Sequence, residues 1–388
     1  MAAGSEPVQT GRAYLDDGRL GESLGALRAE VGRCLMHFVQ AGAEQVEPAA
    51  LLPADILIDL YGEDLRARAY TTQDPVLGEF MLRPDFTVPV VQLHTELGME
   101  PARYAYAGSV WRRRQPGTSS PTEYLQAGFE LFDGSDPAAA DAEVFATIAG
   151  ALGDLPVQPV TGDMGLVRAA IDALDTSERR KKALRRHLWR PERFRRLIER
   201  FSRPGGAAAD HGALLDDAAK RGAAAVIADA GAGIGLRTAE DIAARLDALA
   251  EDRATPPLAA ADLDLIGAVL DLRGSMADAV RGMAAIAAER SALQPAADML
   301  AARAEALAAQ KLDPAALAFE AGFGRTTLEY YDGFVFGFSA PDAPDLPQIA
   351  QGGRYDALTR VLGQGAGIPA VGGIIRPEAL LALQRRLG

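Results

Sequence analysis

The stretch YLQAGFELF, residues 124–132, decides the fold because polar and apolar side chains alternate along it. Successive side chains of a β-strand point to opposite faces of the sheet. One face of this strand would carry Tyr124, Gln126, Gly128 and Glu130. The other face would carry Leu125, Ala127, Phe129 and Leu131. The pattern predicts a strand whose apolar face packs on a core and whose polar face either meets solvent or binds a ligand.

Similar short runs, separated by Gly and Pro, precede this strand. They are AYTTQD (69–74), GEFMLRPDFTVPV (78–90) and ARYAYAGSVWRRR (102–114). Runs of this kind are typical of an antiparallel sheet, which we expect between residues 70 and 132. In MLRPDFT (81–87), the two-residue spacing predicts that Asp85 and Thr87 share one face of a strand.

The polar groups of these strands suit a free amino acid. Carboxylates and hydroxyls accept from an ammonium group, and the planar fork of Arg112 can bind a carboxylate with two hydrogen bonds. The following loop, residues 113–123, has the Gly, Pro and Ser content of a mobile flap. In the later strand LEYYDGFVFGF (328–338), we expect Tyr330 and Tyr331 to lie on opposite faces. Spacing alone also allows these residues to form an ordinary solvated sheet face.

Helical spacing surrounds the predicted sheet. Apolar residues recur at three- and four-residue steps from about residue 21 to 41, beside Cys34 and His37, which we expect to be a packed thiol and a boundary histidine. Residues 163–310 are rich in Ala, Leu, Arg and Asp, and strand character resumes after them. We therefore predict a sheet-containing part at 1–160, a helical insertion at 161–310 and a second sheet-containing part at 311–388.

The insertion contains a strongly basic segment. Residues 178–203 hold twelve Lys or Arg and three Glu, a local net charge of +9, in a chain whose net charge is −13. Apolar residues recur among these charges, which indicates an amphipathic helix interrupted near Pro191. The charges either form solvated or internally paired surfaces, or bind a partner protein or a phosphate-bearing ligand.

Composition narrows the class of protein. An acidic chain is a poor non-specific ligand of nucleic acid, because such binding requires many basic contacts to phosphate. The single cysteine allows no disulfide within the chain, and four scattered histidines offer no metal cage. The chain has no apolar run of membrane-spanning length. Its first residues lack a basic segment followed by an apolar one, so we expect no signal sequence. We expect a cytoplasmic protein without a metal or cofactor.

Four motifs together resemble the catalytic domain of histidyl-tRNA synthetases: MLRPDFT, residues 103–132, LEYYDGFVF and QGGRYDALTRVLGQGAGIPAVGG (351–373). The resemblance covers about residues 24–150 and 311–387. It implies an α+β class II synthetase fold, an antiparallel sheet flanked by helices, that dimerises through the region around Pro48. It also implies that L-histidine binds to Asp85, Thr87, Arg112, Gln126, Glu130, Tyr330 and Tyr331. The synthetases have glutamate at the position of Asp85.

Two departures from the synthetase pattern argue against catalysis, and a third argues against recognition of transfer RNA. Ala379 stands where the synthetases place an arginine that clamps ATP, and Thr326 stands where another arginine stabilises the developing charge. Neighbouring Arg376 and Arg325 are expected not to replace them. Losing one such group typically costs about 100-fold or more in rate. The synthetases continue past the last motif into an anticodon-binding domain, which we expect this protein to lack.

This combination is similar to the regulatory subunits of short-form ATP phosphoribosyltransferases. The resemblance implies a hetero-oligomer with the catalytic subunit, commonly four of each, in which this chain is needed for activity and for feedback inhibition by histidine. It implies no catalytic residue. Two alternatives stay open: an enzyme that makes histidyl adenylate, and a module that senses transfer RNA through the basic segment. Pyrophosphate exchange would identify the first, and salt-sensitive RNA binding the second.

Overall fold

A computed structural model of the chain describes residues 19–54, 69–113, 121–204, 211–231, 237–325, 330–363, 365 and 367–387. Within these residues the central feature is a mixed sheet of nine strands, accompanied by a small sheet of three strands. Helices cover both faces of the large sheet. None of the helices in the described ranges is long and apolar enough to span a bilayer.

The strands are numbered along the chain. They are β1 (Glu44–Gln45), β2 (Leu51–Pro53), β3 (Thr71–Asp74), β4 (Gly78–Leu82), β5 (Ala102–Trp111), β6 (Glu123–Phe132), β7 (Gln158–Asp163), β8 (Arg273–Ser275), β9 (Ala318–Glu320), β10 (Phe334–Ser339), β11 (Ala350–Arg354) and β12 (Ala370–Ile375). The large sheet has the order β1-β5-β6-β12-β11-β10-β7-β9-β8, and the small sheet β2-β4-β3. Only β1 with β5 and β7 with β9 are parallel among these described pairs.

The helices are numbered in the same way. They are α1 (Gly21–Gln40), α2 (Thr87–Leu97), α3 (Pro137–Leu152), α4 (Met164–Asp172), α5 (Glu178–Arg186), α6 (Pro191–Phe201), α7 (Gly212–Arg221), α8 (Ala223–Asp229), α9 (Ala239–Ala254), α10 (Ala260–Leu270), α11 (Met276–Glu289), α12 (Gln294–Ala309), α13 (Asp356–Leu362) and α14 (Pro377–Leu387). The predicted first helix is confirmed. Its Cys34 is fully buried, and the His37 ring contacts the carbonyl oxygen of Thr147 at 3.0 Å.

The alternation along residues 124–132 is confirmed in β6. Phe129 packs against Phe38 of α1, with 5.9 Å between ring centroids, so the odd-numbered side chains face the helical core. Phe132, of even number, stacks on His94 of α2 at 4.0 Å on the other face. The strand pairs along ten residues with β5 and along six with β12. The even-numbered face of β6 therefore meets α2 at Phe132.

The prediction that Asp85 and Thr87 lie on one strand is wrong. Strand β4 ends at Leu82, and Thr87 is the first residue of α2. The Asp85 carboxylate accepts hydrogen bonds from the backbone N–H groups of Thr87 and Val88. An aspartate that accepts from free N–H groups of the first helical turn stabilises a helix start. The sequence around Pro84 and Pro89 alternates in a way that resembles a strand. The segment nevertheless begins a helix.

The prediction that Tyr330 and Tyr331 point to opposite faces is also wrong. Strand β10 begins only at Phe334, so the two tyrosines lie in the irregular segment before it. Their rings contact each other at 4.6 Å between centroids, and both lie within 6.4 Å of the Tyr355 ring. The period of two that separates neighbouring side chains holds only inside a strand.

The residues between β7 and β9 are mostly helical, as predicted, but they include the short strand β8, which pairs with β9 at the edge of the sheet. Apolar residues of α4 to α6 and α10 to α12 belong to the same buried cluster as the sheet. Leu215, Leu246 and Leu249 of α7 and α9 form a smaller cluster of their own. The division of the chain at residues 160 and 310 stays a prediction.

Candidate functional site

Glu130 is the centre of a polar cluster on the even-numbered face of β6. Its side chain is 1% exposed. The Tyr106 hydroxyl donates to Oε1 at 2.8 Å, and the Tyr355 hydroxyl donates to Oε2 at 2.6 Å. The Thr87 hydroxyl donates to Oε1 at 3.4 Å. Tyr106 lies on β5, Tyr355 follows β11 and Thr87 begins α2. The fold thus brings together residues that are distant in sequence.

Glycines on neighbouring strands leave the space that this cluster occupies. A Cβ added to Gly372 of β12, the cross-strand partner of Glu130, would lie 1.4 Å from Glu130 Oε2. A Cβ at Gly128 would lie 2.2 Å from the Tyr106 ring. Since no real Cβ tolerates such distances, only glycine permits the two side chains to lie flat on the sheet.

Burial gives Glu130 an unusual pKa. The pKa of its carboxyl is raised from 4.5 to about 7, chiefly because burial disfavours the charged form, and the negative charge of Asp85 acts in the same direction. The hydrogen bonds from Tyr355, Tyr106 and Thr87 act in the opposite direction because they favour the carboxylate. The group can therefore exist in either protonation state near neutral pH. A ligand that presents an N–H or a positive charge would stabilise the carboxylate form.

Tyr330 and Tyr331 border the same cluster. The Tyr330 hydroxyl lies 3.5 Å from the Thr87 hydroxyl. Burial raises the pKa of both phenols, and the negative charges of Asp85 and Glu130 raise them further, so both remain protonated at neutral pH. Each phenol can then donate one hydrogen bond or accept others. Both tyrosines that the resemblance assigned to the site are thus beside Glu130, although the predicted strand geometry was wrong.

Asp85 and Arg112 form the charged edge of the cluster. Burial raises the pKa of Asp85, and the nearby positive charge of Arg112 lowers it. Asp85 Oδ1 is buried and has no hydrogen-bond donor among the described residues. Arg112 is fixed by a hydrogen bond from its Nε to the carbonyl oxygen of Pro84, 2.9 Å away. Most of the adjacent predicted flap, residues 114–120, lies outside the described residues.

Gln126 extends the polar face four residues along β6 from Glu130. The rise of a strand places the two Cα atoms about 13 Å apart. Gln126 is 1% exposed, and its Oε1 has no hydrogen-bond donor within the described part of the chain. No described hydrogen bond connects it to the other predicted site residues. Alternation therefore places Gln126 on the same face as Glu130. The two side chains, or a small ligand between them, can span this distance.

Sequence reasoning missed two residues near the site and set aside a third. Tyr106 and Tyr355 hold Glu130, and Arg376 carries a positive charge near Arg112 and Tyr330. Burial lowers the pKa of Arg376 to about 10. Alternation along the sequence could have identified Tyr106, because it places this residue on the same face of β5 as Tyr104. The other two follow the ends of β11 and β12, where no periodicity predicts direction.

Comparisons with known proteins agree with this arrangement. A protein-family model described as histidyl-tRNA synthetase matches residues 22–251 and 239–380. The curated protein "ATP phosphoribosyltransferase regulatory subunit" of Brucella ovis is 32% identical over 365 residues, which cover 88% of this chain and 93% of that protein. The proteins of the same name from Brucella canis and Brucella abortus match to the same extent. The chain belongs to the histidyl-tRNA synthetase-like family of ATP phosphoribosyltransferase regulatory subunits.

Solved structures show the same fold. A chain from Bacillus halodurans C, described as an ATP phosphoribosyltransferase regulatory subunit/histidyl-tRNA synthetase, has a TM-score of 0.68 at 19% identity and covers 97% of this chain and 84% of its own. The histidyl-tRNA synthetase from Nostoc has a TM-score of 0.60 at 14% identity, covering 94% and 73%. The class II synthetase fold, a sheet flanked by helices, is thereby confirmed.

Arg376, three residues before Ala379, is held within the chain. Its guanidinium donates to the carbonyl oxygen of Gln348 at 2.5 Å and to Gln351 Oε1 at 2.9 Å. Ala379 is buried on α14.

Arg325 points away from the cluster: its Nε donates to the carbonyl oxygen of Leu188 at 2.9 Å, and its guanidinium lies 4.9 Å from the Phe194 ring centroid. Thr326 lies outside the described residues. The expectation that Arg325 faces elsewhere is confirmed.

The basic segment 178–203 forms two helices, α5 and α6, separated before Pro191 as predicted. Part of its charge is paired inside the chain. Arg180 is 1% exposed and donates to Asp252 of α9 at 2.5 Å. Arg185 donates to Asp172 at 2.6 Å. Internal pairing thus accounts for some of the basic residues and leaves others available on the surface.

Proposed function

We propose that this chain is the non-catalytic regulatory subunit of an ATP phosphoribosyltransferase and that it binds L-histidine on the Glu130 face of the sheet. In that role it would be required for activity and for feedback inhibition of the first step of histidine biosynthesis. The family relationship supports the first part. The chemistry of the buried cluster supports the second.

One observation carries the ligand assignment: the cluster has more acceptors than donors. Asp85 Oδ1 is buried without a donor among the described residues, and the Glu130 carboxyl is a second buried acceptor. The Gln126 side chain offers its amide N–H groups to a ligand carboxylate. Burying an unmatched acceptor costs about 1–3 kcal/mol. A ligand with an ammonium and an imidazole N–H supplies the missing donors. Histidine also brings a carboxylate, for which Arg112 provides a planar donor.

The proposed orientation follows from these groups. The ammonium would contact Asp85 and Thr87, and the carboxylate would contact Arg112 and Gln126. The imidazole would lie between Glu130 and a tyrosine hydroxyl, with Tyr330 and Tyr331 both within reach of the cluster. Aspartate is one methylene shorter than the glutamate of the synthetases, so the ammonium would be held less closely here.

The regulatory effect would arise from linkage between ligand and assembly. Histidine shifts the complex toward a less active arrangement only by as much as it binds that arrangement more tightly. A coupling free energy of about 1–3 kcal/mol would change activity about 5-fold to 150-fold.

The partner would be the catalytic subunit of the transferase. We further propose that the chain self-associates as a dimer through the region around Pro48, that four of each subunit assemble, and that transfer RNA is not a ligand. We place the complex in the cytoplasm, since a single unpaired cysteine favours a reducing compartment. The helical insertion at 161–310 would remain a distinct region of the subunit.

Feedback inhibition of the assembled complex tests the proposal. Glu130→Gln keeps the shape of the side chain but removes its charge. Because a hydrogen bond to a charged group contributes about 1.5–3 kcal/mol, the variant should need about 10-fold or more histidine for half-inhibition. Activation of the catalytic subunit without histidine should be retained. Transferase activity, measured across a histidine titration, provides both values.

The matched control is Glu289→Gln, which removes the same charge from an exposed position on α11. The complex with this variant should be inhibited by the same histidine concentration as the unmodified complex. Unchanged inhibition in the Glu130 variant would remove this cluster from the regulatory site. Histidine-dependent exchange of pyrophosphate into ATP by the chain alone would contradict the non-catalytic role.

A further inference from the structure

A cavity lies between α4, α5 and α13, next to Tyr330 of the Glu130 cluster. Its volume is about 430 Å³, within the range of about 300–1,000 Å³ that is usual for small-molecule sites. We call it the basic pocket, because Arg168, Lys182, Arg185 and Arg186 line it. Asp332 is the carboxylate among its lining residues. The lining thus has an excess of positive charge.

Two of these cations are not neutralised inside the chain. Arg168 pairs with Asp332 at 2.7 Å, and Arg185 pairs with carboxylates of neighbouring residues. Lys182 and Arg186 are exposed and have no carboxylate partner in the described residues. They are separated by four residues on α5, so they lie on the same face of the helix. Like charges at this spacing destabilise a helix, and a bound anion would offset that repulsion.

The rest of the wall is aromatic and apolar. Trp189 lies in the wall, and its indole N–H donates to the carbonyl oxygen of Tyr331 at 3.2 Å, which fixes the side chain. Val361 of α13 also lines the cavity although it is 61% exposed. Such a wall provides contact area for the ring of a ligand, since aromatic side chains stack on planar bases. Tyr330 belongs both to this wall and to the Glu130 cluster.

We propose that the basic pocket binds an organic phosphate of mononucleotide size. The phosphate would contact Lys182 and Arg186, and the base would lie against Trp189. Cations alone would suit an acidic peptide equally well. The volume of about 430 Å³ and the aromatic wall favour a compact ligand with a planar ring. This site is separate from the histidine assignment and does not depend on it.

Fluorescence of Trp189 can report binding directly. The chain has two tryptophans, so Trp111→Phe leaves Trp189 as the sole reporter. Titration of the full chain with AMP should change its emission saturably. Because charged hydrogen bonds to phosphate would be lost, Lys182→Glu with Arg186→Glu should weaken AMP binding about 10-fold or more. Adenosine should bind more weakly than AMP.

The matched control is Arg196→Glu with Arg200→Glu, which changes the net charge equally on exposed positions of α6 outside the pocket. It should retain AMP affinity. Val361→Glu, which places a negative charge at the pocket without altering α5, should weaken binding as well. Far-UV circular dichroism checks that each variant is folded.

Three outcomes would overturn the assignment. They are the absence of saturable AMP binding, equal loss of affinity in the pocket variant and the α6 control, and adenosine binding as tight as that of AMP. Saturable binding of a glutamate-rich peptide in place of AMP would also overturn it and would assign the pocket to an acidic segment of a partner.

Discussion

Gly372 is the residue whose lack of a side chain makes room for Glu130. A methyl group there would lie 1.4 Å from Glu130 Oε2, so the carboxylate would have to leave its two tyrosine partners. We expect Gly372→Ala to lower the free energy of unfolding by about 1–3 kcal/mol, as overpacking does. Histidine affinity, measured by calorimetry, should fall with it.

Gly267→Ala is the matched control for this substitution. Gly267 lies inside α10, and a Cβ there meets no atom within 4 Å. Alanine is the better helix former, so this variant should gain about 0.5–1 kcal/mol in urea unfolding. If the two variants have the same free energy of unfolding, the Glu130 side chain moves away from the new methyl group at position 372 without a loss of stability.

The Glu130 carboxyl should make stability depend on pH. Its pKa is 4.5 in an ordinary setting and about 7 in the folded chain. Between these values the folded state binds more protons than the unfolded state, so the free energy of unfolding should fall as pH rises. Glu130→Gln should therefore become more stable relative to the unmodified chain between pH 4.5 and 7. Urea unfolding at several pH values measures the difference.

The exposed Glu289→Gln variant should follow the unmodified chain across the same pH series. A difference between the Glu130→Gln and unmodified chains that stays constant from pH 4.5 to 7 would mean that Glu130 keeps an ordinary pKa. The site would then hold a permanent carboxylate, which would bind a cationic ligand equally well throughout this range.

At the scale of elements, Arg303 joins α12 to the sheet. It is 2% exposed and donates to Asp141 of α3 at 2.8 Å and to Asp163 of β7 at 2.5 Å. Removing one partner of a buried ion pair leaves an uncompensated charge. Arg303→Met should therefore lower the free energy of unfolding by about 3–5 kcal/mol, measured in urea.

Arg281→Met tests whether this loss is specific to the buried position. Arg281 pairs with Asp278 on the exposed surface of α11, where solvent weakens ion pairs. This variant should unfold almost like the unmodified chain. If both variants lose a similar free energy of unfolding, the effect at Arg303 comes from replacing an arginine side chain and not from the buried carboxylates.

At the scale of the whole molecule, a continuous buried cluster connects the sheet with most of the helices between β7 and β9. The two tryptophans report on different regions: Trp111 ends β5, and Trp189 follows α5. In Trp189→Phe and in Trp111→Phe, the fluorescence midpoint in urea should coincide with the far-UV midpoint of the same variant, as for one cooperative unit.

Separate midpoints would contradict a single cooperative unit. They would favour the division at residues 160 and 310 as independently folding regions. Such a result would fit the small second cluster around Leu215, which shares no buried apolar residue with the main one. It would also limit regulatory coupling, because a region that unfolds alone transmits less of the binding free energy to its neighbours.

The class of each regular element could be predicted where side-chain periodicity is strong. The alternation of β6 and the apolar stripe of α1 repeat over many residues, and both are confirmed. Prediction was wrong where an element begins or ends. Thr87 starts a helix and Tyr330 precedes a strand, and in both places a few residues satisfy either pattern.

Sequence by itself determined the family, the fold class and most members of the polar cluster, because periodicity and motif order are properties of neighbouring residues. Tertiary structure decided which groups meet. Tyr106, Tyr355 and Gly372 surround Glu130 from separate strands, and their burial shifts its pKa. The basic pocket likewise depends on α5 packing beside α13. Such contacts arise from long-range packing and desolvation, which no local pattern encodes.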